Sequence, residues 1–225
     1  MSWESNRPAV LLIVAIAAVM NGCSSSSTPP ISVSASAHAV AIDQGQTDSI
    51  TATVANDPSN GVSWSLNGPG SLSATTGTTI AYNSPASALT SAQQVTVTAT
   101  SLTDKTKSAT VQITVNPYPQ IPSQTLTNGV VGTPYSQPIV LMGGTPPFQW
   151  SVYDGPIITG NYVGGAVPDG LTLNAATGVI SGTPTGGGTW YFETTVTDAT
   201  GVTVVNDFLN LEINSNTLRR IQFRF

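Results

Sequence analysis

The sequence has one cysteine, Cys23, and one histidine, His38, in 225 residues. A single cysteine excludes an intrachain disulfide, so whatever folds here is held by its own core. A single histidine leaves no paired His/Cys spacing for zinc, and no second group stands beside it in sequence to make a nucleophile–base pair. Neither a Gly-x-Ser-x-Gly motif nor a phosphate loop is present. His38 lies in a run of small residues and reads as an exposed edge or loop position. Charge is scarce as well, at 8% of residues where about a quarter is usual. With six basic against eleven acidic residues the net charge is −5. No basic stripe exists, which excludes nucleic acid as a partner. Long apolar runs are absent except for Ala9 to Met20, and outside that run no segment has a helical 3.6 period.

What fills the sequence instead is Thr, Ser, Ala, Val, Gly and Pro, the vocabulary of half-buried strands and tight turns. Ile50, Ala52 and Val54 alternate with Thr51 and Thr53. Val62, Trp64 and Leu66 alternate with serines. Ile80 and Tyr82, then Val95, Val97 and Ala99, then Val111, Ile113 and Val115 follow the same period of two. Clusters such as Asn56-Asp57-Pro58-Ser59-Asn60-Gly61 and Asn67-Gly68-Pro69-Gly70 separate them. Short strands at this spacing, each with one apolar face, predict an antiparallel sandwich over 31–116. Asn116-Pro117-Tyr118-Pro119-Gln120-Ile121-Pro122 reads as a stiff connector. A second sandwich over 117–214 repeats the plan: Ile139 to Leu141, then Phe148, Trp150 and Val152, then Leu171 and Leu173, Val179 and Ile180, Trp190 to Val196, and Val202 to Ile213.

The two halves read as diverged copies. Val62-Ser63-Trp64-Ser65-Leu66 matches Phe148-Gln149-Trp150-Ser151-Val152, and Leu72-Ser73-Ala74-Thr75-Thr76-Gly77 matches Leu173-Asn174-Ala175-Ala176-Thr177-Gly178. Val97-Thr98-Ala99 matches Val196-Thr197-Asp198. The second copy has about fifteen extra residues between its tryptophan and its leucine, placed in 153–167. The expected fold class is therefore all-β: two tandem immunoglobulin-like antiparallel sandwiches after an N-terminal signal helix and a short tether.

The tether is the Ser/Pro-rich stretch 23–30. The apolar run before it suits a signal-peptide core and is short for a bilayer span. Val19-Met20-Asn21-Gly22-Cys23, followed by four serines, resembles a bacterial lipoprotein signal with its lipobox. The resemblance implies removal of residues 1–22 and lipid attachment at Cys23, two or more acyl chains giving a stable anchor. It also implies a cell-envelope location, at the outer membrane or cell surface, with the membrane as partner through Cys23.

The second half resembles the immunoglobulin-like modules of bacterial surface proteins that are related in fold to cadherin repeats. The residues carrying this are Gly132-Thr133-Pro134-Tyr135, Gly143-Gly144-Thr145-Pro146-Pro147-Phe148-Gln149-Trp150-Ser151, Val167-Pro168-Asp169-Gly170-Leu171-Thr172-Leu173, Ala176-Thr177-Gly178-Val179-Ile180-Ser181-Gly182-Thr183-Pro184 and Val196-Thr197-Asp198. The first half resembles bacterial immunoglobulin-like domains more loosely, through Val62-Ser63-Trp64 and Tyr82-Asn83-Ser84-Pro85. These families imply display and adhesion, and say little about a ligand.

No catalytic residue is assigned and no cofactor is expected. Cadherin-like folds often bind calcium, which takes six to eight oxygens. Asp154, Asp169, Asp198 and Asp207 are the weak candidates, lacking the dense Asp-x-Asp patterns, and Asp198 is better placed to cap its own turn. The insertion is the candidate binding loop, through Ile157, Ile158, Tyr162 and Val163, because rigid sandwiches bind through loops. Trp190 and Tyr191 are adjacent on a strand, so one is expected to face outward, where it could stack on a sugar. The expected partner is an unknown protein or glycan. The tail 215–225 alternates Arg220, Gln222 and Arg224 with Ile221, Phe223 and Phe225, and reads as an extension past the last strand. The reading the sequence supports is a non-catalytic, membrane-anchored adhesion or protein-binding lipoprotein. The alternatives are a carbohydrate-binding accessory protein and an envelope spacer.

Overall fold

A computed structural model of the chain describes residues 28–152 and 165–216. Residues 1–27, which include the expected signal stretch 1–22 and Cys23, residues 153–164, which include Asp154, Ile157, Ile158, Tyr162 and Val163, and residues 217–225 lie outside the described residues.

The first sandwich contains β1 (Ser32–Ala37), β2 (Ala41–Asp43), β3 (Thr47–Ala55), β4 (Val62–Asn67), β5 (Ser71–Leu72), β6 (Thr79–Asn83), β7 (Gln93–Ser101) and β8 (Ser108–Asn116). Its sheets run β1-β3-β6-β5 and β2-β8-β7-β4. The second contains β9 (Gly129–Val130), β10 (Tyr135–Pro138), β11 (Gln149–Val152), β12 (Leu171–Leu173), β13 (Val179–Gly182), β14 (Gly188–Thr197) and β15 (Thr203–Asn214). Its sheets run β10-β13-β12 and β11-β14-β15-β9. Pairing is antiparallel except where β2 lies parallel to β8 and β9 parallel to β15.

The alternation seen in the sequence becomes burial. Along β3 every second residue is buried, and the intervening threonines and serines face solvent. Ile50, Val62, Tyr82, Val95, Val97, Ala99, Ile113 and Val115 form the first core, each fully buried. Leu126, Ile180, Phe192, Val196, Leu209, Leu211 and Ile213 form the second. Each buried aliphatic side chain contributes about 1.5–3 kcal/mol. Without a disulfide, this burial is the main stabilising term.

The duplication extends to single hydrogen bonds. Trp64 of β4 pairs with Ala99 of β7, and Trp150 of β11 pairs with Val196 of β14. The Trp64 backbone N–H donates to the Thr75 carbonyl at 2.8 Å, and that of Trp150 to the Ala175 carbonyl at 2.7 Å. The tryptophans align in the sequence, whereas their acceptors are offset by one residue, Thr75 aligning with Ala176. Each indole then meets the glycine ending the aligned segment. Trp64 Nε1 donates to the Gly77 carbonyl at 2.7 Å, and the Trp150 ring packs so closely on Gly178 that a Cβ there would lie 2.6 Å from it.

One expected strand is displaced. Ile139 to Leu141 lie outside the ladder, and β10 ends at Pro138. The Gln124 side chain takes the ladder's place at Val140, accepting its N–H at 2.9 Å and donating to its carbonyl at 3.3 Å. A distant glutamine satisfying a backbone pair leaves no signal in local alternation.

Tyr82 offers a direct test of the first core. It is fully buried, and its hydroxyl donates to the Pro69 carbonyl at 2.8 Å. Burial pushes the phenol up to about 12. Tyr82→Phe orphans that carbonyl and should cost about 1–3 kcal/mol. Urea unfolding should show a lower midpoint with an unchanged slope.

Candidate functional site at the sandwich junction

The end of the first sandwich meets the start of the second through polar side chains. Asp43 closes β2, Gln46 sits in the turn to β3, and Asn116 closes β8. Thr145 precedes β11, while Asp198 and Thr200 form the turn between β14 and β15. The Thr145 hydroxyl donates to Asp43 Oδ1 at 2.7 Å and accepts from the Asn116 amide at 2.8 Å. The Thr200 hydroxyl accepts from the Gln46 amide at 2.9 Å. It lies 2.8 Å from Asp198 Oδ1 and 3.2 Å from Asp43 Oδ2. Its one hydrogen therefore faces two carboxyl acceptors.

Asp198 caps its turn as its sequence context suggested. Oδ1 accepts from the N–H groups of Thr200 and Val202 at 2.9 and 3.0 Å. Oδ2 accepts from the Thr145 N–H at 3.0 Å. The Ala199 N–H adds a backbone bond to the Thr145 carbonyl at 2.8 Å.

Asp43 is fully buried and Asp198 is 7% exposed, and their carboxyls are within hydrogen-bonding reach of each other. Burial raises Asp43 to about 7, and the hydrogen bond to Asp198 adds to the rise. Burial works against ionised Asp198 too, but the hydrogen bond from Asp43 and donation by Thr145, Thr200 and Val202 hold it below the ordinary carboxylate range. The pair together holds a proton well above the ordinary carboxylate range. Shared-proton carboxyl pairs can perform acid–base catalysis when an oxygen is open to substrate. Here the carboxyl oxygens are occupied by neighbours within the junction. The arrangement can store a proton, and it presents no open carboxyl to a substrate.

Beside the pair lies an open cleft of about 460 Å³, lined by His38, Gln46, Asp48, Thr145, Ala199 and Thr200 among others. Asp48 is buried and accepts from the Ala39 N–H at 3.2 and 3.3 Å. His38, 87% exposed at its side chain, stands 3.8 Å from it.

Of the candidate site residues singled out in the sequence, Asp169, Asp198, Trp190 and Tyr191 have described side chains. Asp169 is exposed in the turn before β12, its carbonyl accepting from the Thr185 N–H at 2.9 Å. Asp207 falls within β15, its side chain outside the described residues, as is Asp154. Among the described residues no group of three or more His, Cys, Asp or Glu side chains is placed to hold a metal. Trp190 and Tyr191 are both half-buried, with Trp190 packed against the second core. The register of β14 against β15 shifts between Phe192 and Thr194, while burial still alternates along Phe192 to Thr197.

Sequence reasoning missed Asp43 and Gln46. The available signal was Ala41-Ile42-Asp43-Gln44-Gly45-Gln46, a carboxylate ending an apolar strand just before a glycine turn.

Two immunoglobulin-like β-sandwiches in tandem, joined through a polar junction, define the class. Residues 118–213, which span the second sandwich, match the family model described as "Putative Ig domain". No curated protein matches the chain. Among solved structures the chain is similar to a "putative alpha-galactosidase" from Bacteroides fragilis, 28% identical over 43% of this chain and 17% of that one, with a TM-score of 0.34. It is similar also to the insect immune protein hemolin, at 10% identity over 83% of this chain and 52% of that one, TM-score 0.47. A third is immunoglobulin domains 1–4 of sidekick-1, at 14% identity over 82% and 49%, TM-score 0.36.

Proposed function

We propose that this chain is a lipid-tethered, non-catalytic adhesion or protein-binding module of the cell envelope. The observation that carries the reading is the polarity of the two-sandwich arm. Ser32 pairs with Ala55, whereas Thr47 pairs with Asn83 beside the junction residues. The chain therefore enters the first sandwich at the end opposite the junction. In the second sandwich Gln149 pairs with Thr197, next to the junction turn, and Val152 pairs with Thr194. The chain thus leaves β11 toward residues 153–167 while running away from the junction. With an anchor at Cys23, the first sandwich is the nearer of the two to the anchor along the chain. The solvent faces of the strands are threonine and serine with few charges, which suits display.

Two experiments test this. Cys23→Ser should abolish acyl labelling and move the protein from the membrane fraction to the soluble one. Full membrane partitioning of that variant refutes the anchor. Deletion of 153–167 should abolish capture of a protein partner in a pull-down from envelope extract. Binding on a glycan array that survives in the deletion would instead favour a carbohydrate-binding role for the remaining surface.

A further inference from the structure

We propose that the Asp43–Asp198 carboxyl pair is a proton-operated latch between the two sandwiches, closed when the pair holds one proton and released when it loses it. The pair lies where the sandwiches meet, with one carboxyl from each. Its oxygens are tied to both sides: Thr145 binds Asp43 by its hydroxyl and Asp198 by its N–H, and Thr200 bridges the two carboxyls with a single hydroxyl. Two buried anions in this position would repel at low effective dielectric with only hydroxyl and amide donors between them. One proton on Asp43 removes the repulsion and supplies the missing donor.

Few other charges bear on it. From β3 and the turn before β2, Asp48 and His38 face the adjoining cleft shared with Thr145 and Thr200. β8 and its end contribute neutral Asn116, the β2–β3 turn neutral Gln46, and the loop before β11 neutral Thr145. On the β14–β15 turn Asp198 is the one charged group. Asp48 is engaged with the Ala39 N–H, and no lysine or arginine is among the bonded or cleft-lining residues named here.

The sign follows from linkage. When the junction opens, Asp43 reaches water and returns to the ordinary aspartate range, near 3.8, while closed it holds its proton up to about 7. Between those values the closed form binds a proton that the open form has released. The closed form is therefore favoured at the acidic end and weakens as pH rises, about tenfold per unit, becoming constant above about 7.

The test is NMR-detected hydrogen exchange on the full chain in detergent, read at the side-chain amides of Gln46 and Asn116, which donate across the junction to Thr200 and Thr145, with rates corrected for intrinsic pH dependence. Protection at these amides should fall steeply from pH 5 to 7 and then level, while core amides of both sandwiches stay unchanged. Carboxyl carbon NMR should show Asp43 titrating near 7. Asp43→Asn, whose amide donates as the protonated acid does, should flatten the profile. The double variant His38→Gln/Asp48→Asn should keep it. A flat profile in the native chain, an unchanged slope in Asp43→Asn, or loss of the slope in the His38/Asp48 variant each overturns the latch.

Discussion

Phe192→Ala should unfold the second sandwich at a much lower denaturant concentration and leave the first almost untouched. Phe192 is fully buried, pairs with Leu209 across β14 and β15, and sits in the second core. Truncating a buried phenylalanine costs about 3–5 kcal/mol, the loss of transfer free energy plus the cavity left behind. That is a large fraction of the roughly 5–15 kcal/mol holding a domain of this size. The two cores share no residue, and the sandwiches meet through polar bonds at their ends. Peptide-resolved hydrogen exchange should show lost protection in β10 to β15 with β3, β7 and β8 unaffected. Equal loss in both halves would mean that they fold as one cooperative unit.

Gly182→Ala should be as damaging, by another mechanism. Gly182 ends β13, the middle strand of its sheet, and pairs with Tyr135 on one side and Leu171 on the other. Its φ is +141°, and a Cβ there would lie 2.1 Å from the Gly170 carbonyl oxygen. Gly170 returns the constraint, since its own Cβ would lie 2.1 Å from the Thr183 oxygen. Both obstacles are backbone, so no side-chain rotation relieves them. Strain at the dihedral and forced separation of two chains together should cost about 3 kcal/mol or more. Gly201→Ala is the control. Its φ is +86°, but a Cβ there meets no atom within 4 Å. It should cost only the dihedral penalty, about 1–2 kcal/mol. Thermal unfolding of the two variants separates close approach from conformational strain, and equal melting temperatures would refute the distinction.

Much of the architecture was legible because it is local. A strand with one face in the core must alternate, so Ile50, Ala52 and Val54 marked β3 and Val95, Val97 and Ala99 marked β7. The duplicated Trp and Gly positions were legible because in each copy the indole meets the turn glycine, by a hydrogen bond to the Gly77 carbonyl in the first and by close packing on Gly178 in the second. The exception is Gln124, which replaces a strand at Val140.

By itself the sequence determined the all-β class, the two repeats and the turns between their strands, since period-two burial and turn chemistry are encoded within a few neighbouring residues. Only the tertiary structure decided the junction. Asp43 and Thr145 are 102 positions apart, and Asp43 and Thr200 157. A carboxyl keeps its ordinary affinity for protons until something else takes its water away. For Asp43, that something is the turn of another sandwich.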